Sequence, residues 1–194
     1  MAEDVAPSHG KKQVEIKMED FFSSVLSVIG KTTDDQISTL LKERKLTISV
    51  AESLTGGLIS SRLTEVPGSS DYFIGGIVCY SNRVKVMELG IPGALISKHG
   101  QVSKEVAIAM AEAVKKRLKT DIGLSATGIA GPTPLPPAPV GKVFIALASE
   151  KETEWKELNL KGTRDEIREK AAQGALGLLW LYLGGEEIVY KIEK

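Results

Sequence analysis

The sequence predicts an α/β fold, a three-layer α/β/α sandwich with a mixed β-sheet. Short runs of β-branched and apolar residues alternate with longer segments whose apolar residues recur at helical spacing. Two late runs, residues 140–148 and 154–160, flank a charged turn and predict a hairpin, so the sheet is mixed and not purely parallel. A length of 194 residues fits one domain.

The N-terminal part is polar at first and then helical. Residues 1–17 lack hydrophobic periodicity and predict a flexible tail, whereas residues 18–29 have helical spacing and end at Gly30. A capping cluster at residues 33–35 starts a second helix that runs to about Lys45. These helices either pack on the main domain or form an interface with another subunit. We divide the chain into residues 1–31, a tail and N-terminal helix, and residues 32–194, the main domain.

The remaining elements follow from the hydrophobic period and from glycine or proline breaks. We expect strands at 46–51, 73–80 (interrupted by Gly75 and Gly76), 121–126, 140–148, 154–160 and 188–192. We expect helices at 58–66, 82–89, 103–118 with Ser103 as N-cap, and from a Thr163 cap to 183. Four prolines within residues 133–139 predict an extended loop.

Composition excludes several function classes. Lys plus Arg number 25 and Asp plus Glu number 25, so the chain lacks the basic footprint of a nucleic-acid binder and has no attraction to anionic membranes. One cysteine cannot form an internal disulfide, which predicts a reducing, cytoplasmic compartment. The longest apolar run, residues 175–183, is too short to span a bilayer. Two histidines and one cysteine, widely spaced, predict no metal site.

Three polar, glycine-rich segments follow predicted strands, where α/β sheets bind ligands: residues 51–57, 80–85 and 125–132. In the first segment, Ser53 and Thr55 lie where a helix begins, and the free backbone N–H groups at a helix start favour an anion. Ser53 is therefore a candidate nucleophile whose oxyanion meets those groups; the alternative is an N-cap serine beside a relaxed turn. A Ser-His-Asp triad is excluded, because His9 lies in the tail and His99 in a loop.

The second and third segments supply the other candidates. Lys85 is a base for Ser53 if burial or positive charge lowers its pKa, and Tyr80 is a proton relay or orienting group; the alternative is a solvated helix lysine. Gly128 and Gly131 lie in a loop like those that hold phosphate, although it matches neither standard phosphate motif, and close backbone packing explains it equally. Arg164, in the first turn of the last helix, suggests an anionic partner; the alternative is that Asp165 and Glu166 beside it are that partner.

The ordered strings AESLTGG, GGIVCYSNRVK, HGQVSKE, SATGIAGP, PVGKV and GTRDEIR give a more specific indication. Through them, residues 34–183 resemble the C-terminal domain of the CinA (competence/damage-inducible) family, which includes stand-alone nicotinamide mononucleotide deamidases. The resemblance implies a three-layer sandwich that hydrolyses the carboxamide of nicotinamide mononucleotide to nicotinate mononucleotide and ammonia. It further implies a homo-oligomer and no metal or organic cofactor.

The resemblance also assigns roles to individual residues. It implies Ser53 as nucleophile, Lys85 as general base and Tyr80 as an assisting group. The substrate-binding residues that it implies are Thr55, Gly56, Gly57, Asn82, Thr127, Gly128, Ala130, Gly131 and Arg164. Leu54 stands where the family usually has cysteine, and the loop at 133–139 lacks the usual glycines and lysine. The alternatives are therefore a non-catalytic nucleotide-binding or assembly module with the same fold, or hydrolysis of another amide.

Overall fold

The computed structural model describes residues 31–184, with side chains from residue 33 onward. The helices are α1 (Lys31–Glu43), α2 (Leu58–Glu65), α3 (Asn82–Leu89), α4 (Gly93–His99), α5 (Lys104–Leu118) and α6 (Arg164–Tyr182). The strands are β1 (Ile48–Glu52), β2 (Phe73–Val78), β3 (Ile122–Gly128), β4 (Lys142–Ala148) and β5 (Thr153–Asn159).

The five strands form one mixed sheet in the order β2-β1-β3-β4-β5. Strand β1 is parallel to both β2 and β3, whereas β4 is antiparallel to both β3 and β5. The carboxyl ends of β1, β2 and β3 therefore lie at one edge of the sheet. This arrangement confirms the predicted mixed sheet and places the three glycine-rich segments together.

Helices cover both faces of the sheet and give the predicted three layers. On one face, α5 packs across the strands and contacts α3 and α4; on the other lie α1, α2 and α6. Each layer buries apolar side chains, such as Met110 of α5 and Leu176 of α6. Gly123 of β3 lies so close to α5 that a Cβ there would collide with the Ala111 carbonyl.

Several predicted elements need correction. Helix α1 begins at Lys31, before the predicted capping cluster. Strand β2 is continuous through Gly75 and Gly76, although its pairing with β1 shifts register directly before Gly75. Helix α4 was not predicted. His99 is its last residue and does not lie in a loop, as had been expected. Its signals are local, because Pro92 precedes its first residue and Gly100 follows its last.

The other predicted elements lie close to their expected places. Ser103 caps α5, and Thr163 and Glu166 form a capping box at α6. The predicted tail, the helix at 18–29 and the strand at 188–192 lie outside the described residues. No helix within residues 31–184 is both long and apolar enough to cross a membrane.

Candidate active site

Ser53 and Lys85 form a buried hydrogen-bonded pair at the carboxyl edge of the sheet. Ser53 follows the last residue of β1, and Lys85 lies in the first turns of α3. The Lys85 Nζ donates to Ser53 Oγ over 3.1 Å and to the Cys79 carbonyl over 3.1 Å. Only 1% of Lys85 and 7% of Ser53 is exposed, so water is largely excluded from the pair.

Burial shifts the protonation equilibrium of Lys85 toward the neutral amine. Desolvation disfavours the ammonium form and lowers the pKa of Lys85 below its ordinary value of 10.5. Within the described residues, no carboxylate forms an ion pair with Lys85 to counter this effect. A neutral lysine amine next to a serine hydroxyl is the arrangement that general-base activation of a serine requires.

Helix α3 directs Lys85 inward for local reasons. The Ser81 hydroxyl accepts a hydrogen bond from the Val84 N–H and starts the helix, and Gly90 ends it in a left-handed conformation. Lys85 and Leu89 are four residues apart and are both buried, so the lysine shares the helix face that packs on the core. The solvated-lysine alternative is therefore wrong.

Glu52, which the sequence analysis did not identify, occupies the N-terminus of α2. Its fully buried carboxylate accepts from the N–H groups of Gly57 (2.9 Å), Ile59 (3.1 Å) and Ser60 (2.9 Å), and from the Ser60 hydroxyl (2.6 Å). The predicted free donors at this helix start are thus taken by a carboxylate of the chain itself. An acidic residue at the end of an apolar strand, directly before a Thr-Gly-Gly turn, was the available signal.

Gly56 and Gly57 shape the turn and are not oxyanion donors. The Gly56 N–H donates to the Ser53 carbonyl over 3.2 Å, and both glycines have positive φ angles of 60° and 105°. Gly57, not Ser53, is the N-cap of α2, so the N-cap alternative for Ser53 is also wrong. The Thr55 hydroxyl is buried and has no hydrogen-bond partner among the described residues.

A cleft of about 330 Å³ opens beside Ser53. The predicted residues that line it are Ser53, Tyr80, Thr127, Gly128, Ala130, Gly131 and Arg164. The lining residues that the prediction missed include Leu54, Gln101, Val102 and Leu135. Thr55, Gly56, Gly57 and Asn82 do not line it. Asn82 is exposed at the first residue of α3, where Ser81 supplies the cap, so the structure does not support a direct substrate contact for Asn82.

Tyr80 and Arg164 meet at the rim of the cleft. The Arg164 Nη2 donates to the Tyr80 hydroxyl over 3.1 Å, and Nη1 donates to the Gly131 carbonyl. Arg164 is the one charged side chain among the described residues that line the cleft. Tyr80 is 60% exposed, and its hydroxyl contacts Arg164 in place of the predicted position beside the Ser53 hydroxyl.

The end of β3 and the loop after it form one wall of the cleft through close packing. A Cβ at Gly128 would lie 2.6 Å from Val143 Cγ2, and Gly131 has a φ of 83°. The Thr127 hydroxyl donates to the Gln101 carbonyl over 2.9 Å. The proline-rich loop is not extended as predicted, because Leu135 and Ala138 exchange backbone hydrogen bonds of 3.2 and 2.8 Å. Those bonds draw the loop into a turn against the cleft.

Arg168 was also missed. Its Nε donates to the Leu54 carbonyl and its Nη2 to the Thr55 carbonyl, both over 3.1 Å, so α6 holds the backbone next to Ser53. The signal was its position four residues after Arg164, which places both arginines on one side of α6. Within residues 33–184, no cluster of His, Cys, Asp and Glu is placed to hold a metal ion.

This fold and site define a class of α/β sandwich that holds a buried serine–lysine pair at the carboxyl edge of a mixed sheet. The chain belongs to the CinA family: the model of the CinA C-terminal domain matches residues 30–183. A CinA-like protein of Dictyoglomus thermophilum is 49% identical over 152 residues, covering 77% of this chain and 37% of the relative. A CinA-like protein of Gemmatimonas aurantiaca is 47% identical over 156 residues, covering 78% and 36%.

Solved structures agree with this assignment. The crystal structure of the competence/damage inducible protein CihA from Agrobacterium tumefaciens has a TM-score of 0.76 and 33% identity to this chain. The match covers 79% of this chain and 94% of that one. The chain spans less than half the length of the two curated relatives.

Proposed function

We propose that the chain is a nicotinamide-nucleotide amidase, which hydrolyses the carboxamide of nicotinamide mononucleotide to nicotinate mononucleotide and ammonia. The observation that carries the proposal is the 3.1 Å hydrogen bond between Lys85 Nζ and Ser53 Oγ in a water-poor setting beside an open cleft. The substrate comes from the family resemblance, because that family includes stand-alone deamidases of this nucleotide. No metal or organic cofactor enters the proposed reaction.

The first half of the reaction acylates Ser53. Lys85 accepts the hydroxyl proton as Ser53 Oγ attacks the carboxamide carbon, and the carbonyl oxygen becomes an oxyanion held by backbone N–H groups. The Lys85 ammonium then gives its proton to the amide nitrogen. The carbon–nitrogen bond breaks, ammonia leaves, and an ester to Ser53 remains.

The second half hydrolyses that ester. Lys85, neutral again, accepts a proton from water, whose oxygen attacks the ester carbon. The carbon–oxygen bond to Ser53 breaks, and Lys85 returns the proton to Ser53 Oγ. The pyridine carboxylic acid leaves and gives its proton to the released ammonia, so the products are the carboxylate and ammonium. The pair is restored, and one water is consumed for each amide cleaved.

The rest of the cleft suits a nucleotide with a single phosphate. Arg164 supplies one positive charge at the rim, and the Tyr80 hydroxyl is bonded to it. The loop at Thr127, Gly128, Ala130 and Gly131 lies across the cleft and offers backbone groups to a ribose. We assign the phosphate to Arg164 and the ribose to this loop, while Tyr80 orients Arg164.

Ammonia release from nicotinamide mononucleotide tests the proposal. We expect turnover by the wild type and a loss of at least about 10³-fold in kcat for Ser53→Ala and for Lys85→Ala, because each removes a group that the covalent step needs. Ser61→Ala and Lys98→Ala are matched controls on α2 and α4, and both side chains are exposed. Turnover that survives Ser53→Ala would eliminate the nucleophile.

The alternative is a nucleotide-binding module that does not react. The proline-rich turn favours it, because Thr133, Pro134 and Leu135 line the cleft where the family usually has glycines and a lysine. Calorimetric titration with nicotinamide mononucleotide separates the two readings. Binding without ammonia release from the folded wild type would support the module and reject the amidase.

We also propose that the protein is a cytoplasmic homo-oligomer. Light scattering of the purified chain would show a mass above the 20.8 kDa of one chain.

A further inference from the structure

We propose that Gln101 makes the site specific for an amide: its side-chain Oε1 accepts a hydrogen bond from the carboxamide nitrogen of the bound substrate. The inference rests on the proposed amidase function and names the residue that recognises the group to be cleaved. Gln101 lies between α4 and α5, in the string HGQVSKE, and lines the cleft.

Gln101 carries an uncommitted polar group in a cleft whose other polar groups are largely engaged. Hydrogen bonds within the chain occupy the side chains of Ser53, Tyr80, Thr127 and Arg164. Among the lining residues, the side chains of Gln101 and Thr133 have no hydrogen-bond partner in the part of the chain that the structure describes. Thr133 is exposed on the proline-rich turn, whereas Gln101 is half-buried. A half-buried amide at a cleft wall is a group that a bound ligand would satisfy.

The backbone on both sides of Gln101 is fixed, although its side chain has no partner. The Gln101 carbonyl accepts a hydrogen bond from the Thr127 hydroxyl over 2.9 Å. The Gly100 carbonyl before it accepts from the Ser103 hydroxyl over 3.0 Å, and Ser103 is the N-cap of α5. The Gln101 side chain therefore extends from a well-held point of the cleft wall, as a specificity contact requires.

The register of the sheet places this point next to Ser53. Strands β1 and β3 are parallel and end with the pair Glu52 and Ala126, and the Ser53 N–H donates to the Ala126 carbonyl over 2.9 Å. The next positions on the two chains, Ser53 and Thr127, are therefore neighbours about 4.8 Å apart. A carboxamide that Ser53 attacks thus lies beside the residue whose hydroxyl holds Gln101.

Ser53 and Thr127 also share one face of the sheet with Gln101. The Ser53 hydroxyl contacts Lys85 of α3, and α3 packs on α5. Ser125, two residues before Thr127, donates to a backbone carbonyl of α5, so Thr127 faces the α5 layer as well. Gln101 leads directly into α5 and belongs to the same layer.

The chemistry of a carboxamide assigns the Gln101 oxygen to its nitrogen. In the proposed reaction the carbonyl oxygen becomes an oxyanion and needs donors, so the N–H groups are the part that an acceptor binds. Among the described residues, no carboxylate lines the cleft to accept them. A carboxylate would also favour the ammonium form of Lys85, whereas a neutral amide oxygen binds the N–H without adding a negative charge near the base.

Two ligands that differ in one group test the inference by equilibrium binding. In 3-acetylpyridine mononucleotide a methyl group replaces the NH₂ group of nicotinamide mononucleotide, and the carbonyl, ribose, phosphate and charge are unchanged. Ser53→Ala, which cannot be acylated, is titrated with each ligand by calorimetry. We expect nicotinamide mononucleotide to bind about 10-fold more tightly, because the ketone leaves Gln101 Oε1 without a donor. In Ser53→Ala/Gln101→Met the two affinities should become equal.

Further variants in the Ser53→Ala background complete the design. Gln101→Glu retains an acceptor and loses the NH₂ donor, and because the two ligands carry equal charge, their affinity ratio should still favour the amide by about 10-fold. Lys98→Ala is the matched control, since Lys98 is exposed near the end of α4, and it should keep the same ratio. Circular dichroism checks each fold, and Gln101→Ala replaces Gln101→Met if the latter does not fold.

The outcomes separate this inference from the proposed function. Equal affinities in Ser53→Ala, an unchanged ratio in Gln101→Met, or a lost preference in Gln101→Glu each overturn the inference, even if ammonia release establishes the amidase. A preference that depends on Gln101, in a protein whose wild type releases no ammonia, supports the contact and rejects the amidase. A folded protein that binds neither nucleotide overturns both.

Discussion

At the scale of single residues, the site depends on an amine that the protein keeps away from water. An exposed lysine is protonated at neutral pH and cannot accept the proton of Ser53. Burial to 1% exposure removes the hydration that favours the ammonium form, and the hydrogen bond to Ser53 then provides the direction of proton transfer. In the proposed amidase, the packing around Lys85 therefore produces the general base without a second charged residue beside it.

The pH dependence of the proposed amidase follows from this lysine. Because only neutral Lys85 accepts the proton, kcat/KM should rise with pH and level off once the pH exceeds the pKa of Lys85, which burial lowers from its ordinary value of 10.5. Initial rates of ammonia release between pH 6 and 10.5 would show this, and Lys98→Ala should give the same profile. A rate that climbs until pH 10.5 would mean that Lys85 titrates as an exposed lysine does.

At the scale of elements, Glu52 joins the end of β1 to the start of α2. Its carboxylate accepts hydrogen bonds from three backbone N–H groups and one hydroxyl, so the turn that contains Ser53 is fixed at both ends. The positive end of the helix dipole also favours the negative charge. The N–H groups that the sequence analysis assigned to an anionic ligand therefore already donate to Glu52.

Glu52→Gln should destabilise the protein although it keeps the shape of the side chain. The amide has one acceptor oxygen, and its NH₂ group would face N–H donors of α2, leaving a buried donor unpaired. We expect the free energy of unfolding to fall by about 1–3 kcal/mol. Urea denaturation followed by circular dichroism measures it, with Glu65→Gln at the exposed end of α2 as control. Equal midpoints for Glu52→Gln and the wild type would contradict the assigned contacts.

At the scale of the whole molecule, the same packing that forms the sheet edge also seals the single cysteine. Cys79 is fully buried, and desolvation raises the pKa of its thiol to about 11. The thiol is therefore both inaccessible and almost entirely protonated in the folded state. It becomes reactive only when the structure around β2 and α3 opens.

Alkylation of Cys79 should consequently report on unfolding. We expect iodoacetamide to alkylate Cys79 in the native protein at least about 10³-fold more slowly than it alkylates the thiol of free glutathione. Labelling of Cys79 requires an opening of the structure whose free energy approaches that of global unfolding. In urea beyond the unfolding transition the two rates should agree. Mass spectrometry gives both rates, and native labelling as fast as that of glutathione would show that this part of the core opens locally.

Much of this molecule was predictable from local patterns, and what was missed depends on contacts between distant segments. Hydrophobic period and capping residues located α5 and α6 within one or two residues, and the strings around Ser53 and Lys85 located the site. The burial of Lys85 depends on the packing of α3 against α5, and the contacts of Arg168 depend on α6 passing beside Leu54. Neither contact follows from the local sequence. The partners of Glu52 and Tyr80 depend on side-chain directions that no single string contains.

The burial of Lys85 has a consequence for inhibitor chemistry. A lysine with a depressed pKa is ordinarily an attractive target for aldehydes and activated esters, because its free amine is a strong nucleophile. Here Lys85 is 1% exposed and does not line the cleft, whereas Ser53, whose oxygen is hydrogen-bonded to the Lys85 amine, does. For the proposed amidase, covalent inhibitors should therefore be directed at the Ser53 oxygen, as boronates are, because amine-directed reagents would not reach the buried Lys85.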